Sequence, residues 1–347
     1  MTSRLSISIV IPNWNGAAYL ERCLGSLEVQ CGQCGEILVV DNGSTDGSAE
    51  VAARVAPRAT VIRLGRNMGF AAAANAGIRA AHGDWVAVLN NDTEVSPSWL
   101  RECASGIERH PEAAFLACRI MDIRARERVF SAGDCFLRAG VGYRRGQELP
   151  DRDEYGVECA VFSACGCAAL YRKAVLERIG LFDERFFAYL EDVDLGLRLR
   201  AAGHCGWYLP SAVVYHHGGA TSGGEFSSLA VRLRTRNAVL LLIKSLPAAI
   251  LGRCAPMILA AQVSWALRAL SHGRVLSYTL GLAGALRHLP AMIAGRRRLR
   301  PLWCRNSEQL WQDILASEKM ARRDYDGSGR QTGNESAFLK WYFRGKS

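Results

Sequence analysis

A succession of short apolar runs, each ending in a knot of polar residues, most constrains what this chain can fold into. Ile7-Ser8-Ile9-Val10-Ile11 leads into Pro12-Asn13-Trp14-Asn15-Gly16, and Ile37-Leu38-Val39-Val40 leads into Asp41-Asn42-Gly43-Ser44-Thr45-Asp46. Thr60-Val61-Ile62-Arg63-Leu64 is followed by Arg66-Asn67-Met68-Gly69-Phe70, and Val88-Leu89 by Asn90-Asn91-Asp92-Thr93. Helix-length segments such as 71–81 fill the gaps. Apolar runs of about four to eight residues alternating with helices predict βαβ units around a buried, mainly parallel sheet. Parallel strands point the same way, so their polar ends must share one edge, where open α/β sheets bind ligands. One crevice should then collect Asn13, Asp41, Asn67 and Asp92.

Asp92 has the chemistry to hold a divalent cation against a diphosphate. Mg²⁺ and Mn²⁺ take one or two protein carboxylates and draw their remaining oxygens from phosphate and water. Asn and Asp also crowd into ordinary turns, so the triplet 90–92 by itself leaves a plain turn open.

The ordered motifs carry a resemblance. Ile11-Pro12-Asn13-Trp14-Asn15-Gly16, Val40-Asp41-Asn42-Gly43-Ser44-Thr45-Asp46, Asn67-Met68-Gly69-Phe70 with Ala74-Asn75, and Leu89-Asn90-Asn91-Asp92-Thr93 resemble those of family 2 glycosyltransferases. The series continues through Gly180-Leu181-Phe182-Asp183-Glu184, Tyr189-Leu190-Glu191-Asp192-Val193-Asp194-Leu195 and Val214-Tyr215-His216-His217-Gly218-Gly219, so it covers roughly residues 5–245. Within the family the chain is most similar to the rhamnosyltransferase-like branch, which builds bacterial surface polysaccharides. The resemblance implies an α/β, Rossmann-like nucleotide-diphospho-sugar transferase (type A glycosyltransferase) fold, followed by a C-terminal helical, membrane-associated region.

The resemblance also implies roles. Pro12, Asn13, Asn15, Asp41, Asn67, Gly69 and Asn91 would bind the nucleotide. Asp41 would accept the imide N–H of uracil or thymine, as an ionised carboxylate can. Asn90-Asn91-Asp92 stands where the family carries an Asp-x-Asp metal motif, with Asn90 in place of the first carboxylate. Asp92 and the late His216 would be the metal ligands, and a mixed O/N set leans toward Mn²⁺ over Mg²⁺. His217 is the neighbouring substitute. In an inverting transfer one carboxylate takes the acceptor proton while the metal neutralises the leaving group, and Asp192 is the expected base. Leu190, Val193, Leu197 and Ala201 fall on one face of a predicted helix, which puts Asp192 in its first turn, where an acidic residue is also an ordinary helix-start feature. Glu191 would stand behind the base or touch the acceptor, and Asp194 would support the helix. The donor implied is dTDP-L-rhamnose, with UDP-hexose or UDP-galactofuranose as the alternative and a non-catalytic nucleotide-sugar-binding module as a more remote one. A 6-deoxy sugar wants an apolar wall, for which Phe162, Trp207, Phe186 and Phe187 are candidates, core packing being their other use. A lipid-linked or glycan hydroxyl would be the acceptor.

Charge and composition agree. A formal net charge of +10 over 347 residues suits anionic partners, such as nucleotide sugars, lipid diphosphates or a membrane surface. The basic residues do not interleave with aromatics on an evident face, which argues against nucleic acid. No G-x-G-x-x-G follows the first apolar run, which argues against a dinucleotide-dependent oxidoreductase. Met1-Thr2-Ser3-Arg4 runs straight into that first apolar run, without a secretory pattern. Among the twelve cysteines, Cys31-Gly32-Gln33-Cys34 lacks a second pair at zinc spacing, and Cys165-Gly166-Cys167 reads as part of a small-residue strand, so reduced thiols in cytoplasm are expected. His82, His110 and His204 read as surface or loop residues.

The expected organisation is a catalytic domain over 1–225 (nucleotide half 1–110, acceptor half 111–225), a helical region over 226–320 and a flexible tail over 321–347. The segments 248–267 and 275–294 hold one Lys or Arg each, Arg253 and Arg287, and approach the length of a membrane span, but Pro256 and Pro290 should interrupt them. Arg296-Arg297-Arg298-Leu299-Arg300 suits an anionic leaflet. An interfacial position at the cytoplasmic face is expected, the other readings being a spanning or re-entrant hairpin and a soluble cap or dimer surface. The polar, Gly-rich segment 324–336 reads as a linker, and Lys340-Trp341-Tyr342-Phe343-Arg344 as a small anchor or an aromatic tail.

Overall fold

The computed structural model describes residues 6–30, 35–218, 223–224, 226–327 and 337–344. Within them the chain runs through β1 (Ile7–Asn13), α1 (Ala17–Glu28), β2 (Glu36–Asp41), α2 (Ser48–Val55), β3 (Thr60–Arg63), α3 (Phe70–Ala80) and β4 (Trp85–Leu89). It continues with β5 (Thr93–Val95), α4 (Trp99–Arg109), β6 (Phe115–Asp122), β7 (Val129–Ser131), β8 (Asp134–Phe136), β9 (Gly142–Arg144), β10 (Cys159–Ala160) and β11 (Ala168–Arg172). Next come α5 (Lys173–Ile179), α6 (Glu191–Ala201) and β12 (Gly206–His216), and then α7 (Ser228–Ser245), α8 (Ala248–Ser271), α9 (Val275–Leu299), α10 (Ser307–Gly327) and α11 (Ala337–Arg344).

The main sheet has the order β10-β12-β6-β11-β4-β1-β2-β3. Strands β4, β1, β2 and β3 are mutually parallel, so the four polar strand ends do lie along one edge. Strand β11 is antiparallel to β4 and β6, while β6 and β12 are parallel. Successive residues of β1 feed opposite cores. Ile9 and Ile11 meet Leu20, Leu24 and Leu27 of α1 on one face, and Val10 meets Ala71, Ala74 and Ile78 of α3 on the other. A strand covered on both faces must be apolar throughout, which is why the runs show no alternation. The exception is β3, whose residues are half-buried or exposed because it is the sheet's edge.

A third core joins the sheet domain to the C-terminal helices. Val193, Leu197 and Ala201 of α6 pack with Leu240 and Leu241 of α7, Ile250 of α8, Met292 of α9 and Ile314 of α10. Each large aliphatic side chain buried there contributes roughly 1.5–3 kcal/mol.

Two expectations about this region need correcting. Pro256 and Pro290 lie inside unbroken helices. Each removes one backbone bond to the carbonyl four residues earlier, on Gly252 and Leu286, and both carbonyl residues are exposed, so solvent can satisfy the freed oxygen. The tail expected from 321 onward is largely packed structure. Helix α10 runs to Gly327, and buried Asp324 accepts hydrogen bonds from the Tyr143 and Tyr155 hydroxyls at 2.7 Å each. The aromatic cluster of 340–344 is helical in α11, with Tyr342 and Phe343 buried beside Tyr143 and Tyr325 and Trp341 exposed, so it is packed structure rather than a loose tail. The stretch 328–336, Cys31 and Cys34 lie outside the described residues.

Candidate active site

The end of β1 and the loops after β2, β3 and β4 form a network of neutral amides. The Asn91 side chain donates to Asn13 Oδ1 at 2.6 Å, while Asn13 Nδ2 donates to Ser44 Oγ at 3.3 Å. Asn15 Oδ1 accepts from the Thr45 backbone at 2.8 Å, and Asn42 joins Asn67 Oδ1 and the Gly69 carbonyl through one Nδ2. Asp41, almost fully buried, accepts the Ser44 N–H at 3.3 Å. Pro12 pairs in register with Val40 on β2, next to Asn13 and Asp41. The sequence-predicted nucleotide residues are therefore brought together. Gly69 is required at its position: φ is +86°, and a Cβ there would stand 2.5 Å from the Phe187 carbonyl oxygen.

Asp92 and His216 meet at the other side of this edge. Asp92 follows β4, and His216 ends β12, whose antiparallel pairing with β5 sets His216 opposite Thr93. Asp92 Oδ1 and His216 Nε2 are 3.1 Å apart and both side chains are buried. Burial raises the Asp92 carboxyl, but the His216 hydrogen bond and charge outweigh it and hold the group below its usual range. The Asn90 amide reaches to 3.5 Å from the same Nε2. A hard oxygen and an imidazole nitrogen converging on one point, about the separation of neighbouring ligands around an octahedral ion, fit a divalent cation. Phe130 stands edge-on to the imidazole, with centroids 4.5 Å apart.

Asp192 is the second residue of α6, in the first turn as the spacing predicts. Its Oδ2 accepts the Gly166 N–H at 2.9 Å and its Oδ1 the Val193 N–H at 2.8 Å. The segment 165–167 is a turn preceding β11 rather than a strand, because a tight backbone is needed to present that N–H. The same turn accepts the Asn90 N–H on the Cys167 carbonyl at 2.8 Å. One short turn thus ties the Asp92 loop to the Asp192 helix.

Asp134 and Arg144, also near Asp192, were not legible in the sequence. Asp134 opens β8, its carboxylate clustered with those of Asp192 and the Cys165 thiol within 4.8 Å. Burial pushes Asp134 up to about 7, the Arg144 guanidinium opposing and Asp192 adding to the shift. Arg144, its cross-strand partner, is half-buried with its guanidinium 4.4 Å from the Phe130 ring. Neither sits in a recognisable motif. Glu191 is buried with an unpartnered Oε2, and burial followed by the Asp192 charge pushes its carboxyl well above the usual range. Asp194 does more than support its helix: fully buried, it binds Arg198 at 2.8 Å, Lys244 at 2.7 Å and Ser245 at 2.6 Å, clamping α6 to α7. Asn237 of α7 donates through one amide to the carbonyls of Phe186, Ala188 and Tyr189. These bonds hold a loop in which Phe187, Tyr189 and Leu190 all have positive φ. A lone Asn between Arg236 and the apolar run 238–243 was the available signal.

Of the aromatic wall, Phe162 and Phe186 are buried in the third core and Trp207 stacks on His110 at 4.0 Å, so packing claims all three. Phe187 alone borders the crevice, over Gly69. His110 lies in the loop after α4, half-buried between Glu112 and Glu158, whereas His82 is exposed. His217 donates its N–H to the Asp92 carbonyl at 3.0 Å and stacks edge-on against Tyr19, so its ring is engaged beside the site. The described cysteines are free thiols, and burial pushes Cys23 up to about 12.

This mixed α/β sheet, with its parallel run of polar strand ends, is the fold of type A glycosyltransferases. Residues 8–180 match the sequence model of glycosyl transferase family 2, and the chain belongs to that family. It is 29% identical over 252 residues to the N-acetylglucosaminyl-diphospho-decaprenol L-rhamnosyltransferase of Mycobacterium tuberculosis, covering 64% of this chain and 79% of that protein. It is also 29% identical over 328 residues to the pre-mycofactocin glycosyltransferase of the same organism, covering 90% of this chain and 61% of that one. The fold is similar to that of GalNAc-T7, solved with UDP, GalNAc and Mn²⁺ (TM-score 0.65, 15% identity, 92% of this chain and 58% of that one). Residues 1–349 of S. aureus TarS superpose with a TM-score of 0.54 at 16% identity, over 94% of this chain and 93% of that one.

Proposed function

We propose that the chain transfers one sugar, with inversion, from a nucleoside diphosphate donor to the hydroxyl of a lipid-linked glycan at the cytoplasmic face of a membrane. Residues 1–225 form the catalytic unit and the helices beyond them its membrane-facing part. The observation that carries this reading is the 165–167 turn, which bonds Asn90 beside Asp92 with one backbone group and Asp192 with another. A carboxylate for the acceptor proton and a carboxylate–imidazole pair for the diphosphate side thereby share one support.

Pro12, Asn13, Asn15, Asp41, Asn67, Gly69 and Asn91 line the base and ribose. Asp41 accepts the pyrimidine imide N–H, which admits thymine and uracil and disfavours cytosine, whose N3 carries no proton. Asp192 takes the acceptor's hydroxyl proton as that oxygen bonds to the anomeric carbon from the face opposite the leaving group. The bond from that carbon to the diphosphate oxygen breaks, and its electron pair leaves with the nucleoside diphosphate. Mn²⁺ or Mg²⁺ held by Asp92 and His216 would supply charge neutralisation to the diphosphate. Glu191, its carboxyl raised by burial and by the Asp192 charge, stands behind the base and shapes its surroundings.

dTDP-L-rhamnose is the proposed donor and a sugar linked to a polyprenyl diphosphate the proposed acceptor, in line with what the mycobacterial rhamnosyltransferase is named for. Competition among nucleotide sugars tests the donor, using purified protein, Mn²⁺ and a short-prenyl diphosphate-linked N-acetylglucosamine. Selective transfer from dTDP-L-rhamnose is expected. Selective transfer from UDP-galactofuranose or a UDP-hexose would replace the donor and keep the enzyme class. No transfer or hydrolysis from any donor would reduce the protein to a binding module.

A further inference from the structure

We infer that the α8–α9 pair lies flat in an anionic bilayer surface, apolar face down, and presents the acceptor-side helices to the membrane. This deepens the membrane part of the proposed function and rests on the lipid-linked acceptor reading.

The inference starts from exposed leucines. Leu259, Val263, Leu267 and Leu270 of α8 follow spacings of four, four and three residues, which is one helix face. The opposite face supplies the protein core through Ile250, Cys254 and Ala261. Helix α8 is therefore apolar on both sides, with a mean hydropathy of 1.4 over a window of which 17% is buried. Helix α9 extends the exposed surface through Leu276 and Leu286, each 71% exposed. A row of exposed large apolar side chains of this kind marks an interaction site.

Charge selects the occupant. Residues 226–307 contain thirteen Lys and Arg and no Asp or Glu. Exposed Arg287 lies within the α9 apolar surface, and Arg297, Arg298 and Arg300 are exposed at its C-terminal end. Long cationic side chains beside leucines suit the headgroup level, where the stem stays in apolar surroundings and the guanidinium meets lipid phosphate. A second copy docked on the same face would set cation against cation. Helix α8 is long enough to span a bilayer, but its inner face packs against α9, α10 and α11 of the protein body, so it lies in the plane. Bound in this way, the pair stands beside the base: α9 packs on α7, and Asn237 of α7 holds the loop that enters the Asp192 helix.

Flotation of the full-length protein with vesicles tests the inference directly. Wild type should float with phosphatidylcholine–phosphatidylglycerol vesicles, less with phosphatidylcholine alone, and less again in high salt. Leu267→Glu with Leu276→Glu should lower the partition by on the order of tenfold or more. Both positions are exposed, and an unchanged circular dichroism spectrum would establish folding. Arg297→Gln with Arg298→Gln should lower the anionic preference several-fold and leave the phosphatidylcholine component unchanged. Flotation of the Glu variant at the wild-type level would overturn the inference, as would a wild type that stays free of vesicles. Sedimentation showing that the leucines instead hold a dimer would also overturn it. Transfer to the short-prenyl acceptor in solution should be unaffected by these variants. Its absence in wild type would count against the proposed activity alone, because flotation needs no turnover.

Discussion

The nucleotide edge and the base side of this crevice are built from different materials. Along β1 to β4 the polar strand ends are mainly amides and hydroxyls that satisfy one another, Asn91 with Asn13, Asn13 with Ser44, and Asn42 with Asn67. Around Asp192 the groups are ionisable and mostly buried: Asp134 and Glu191, half-buried Arg144, and the Asp183–Asp194–Lys244 cluster. Neutral amides can preorganise a binding surface at small desolvation cost. Buried charges cost far more and persist only where neighbouring elements fix them. The base side accordingly depends on α7, a helix outside the sheet domain, whereas the nucleotide edge is supported within it.

The base itself gives the sharpest contrast. Asp192→Asn should lower kcat by on the order of 10²- to 10⁴-fold while donor affinity, read by calorimetry, stays near wild type. A parallel loss of donor binding would erase the distinction between the two sides. Asp92→Ala and His216→Ala should each weaken Mn²⁺-dependent donor binding, with transfer falling on the order of 10²-fold, and excess chelator should abolish wild-type transfer. Full activity in chelator would move the neutralising role to side chains such as Arg144.

Asn237→Ala probes the support from α7. Removing the amide leaves three carbonyls of the pre-base loop without that donor, at a cost of roughly 2–3 kcal/mol in denaturant unfolding, and kcat should fall more than donor affinity. Equal losses in both would show that α7 merely stabilises the whole domain.

Asp134→Asn should have the smallest effect and the clearest pH signature. Its folded-state value of about 7 lies above the roughly 3.9 of an unfolded Asp. Stability tied to its proton is therefore full below about pH 4 and lost as pH rises through about 7. The variant's gain over wild type should grow as pH rises from 5 to 8, by roughly 2–3 kcal/mol at most, measured as Tm against pH. A pH-independent difference would mean that Asp134 is charged throughout, closer to the character of a surface acid.

Local pattern determined the parallel strands, their shared polar edge and the first-turn position of Asp192, because strand direction and helix spacing follow from periodicity in neighbouring residues. The same local signals carried the family resemblance, since its motifs are strand ends and helix starts. Tertiary structure alone decided the rest. Asp134 and Arg144 reach Asp192 through a hairpin pairing, Lys244 and Asn237 reach its helix from another helix, and no spacing in the chain encodes either approach. Pro256 and Pro290 stay helical because the carbonyls they release belong to exposed residues, a matter of environment rather than propensity. The segments 321–327 and 337–344 look polar or stray in sequence, yet they become core once Asp324 finds two tyrosine hydroxyls and Phe343 finds Tyr143 and Tyr325. Burial of a polar residue is favourable only when its partner is in place, and that partner lies more than 150 residues away.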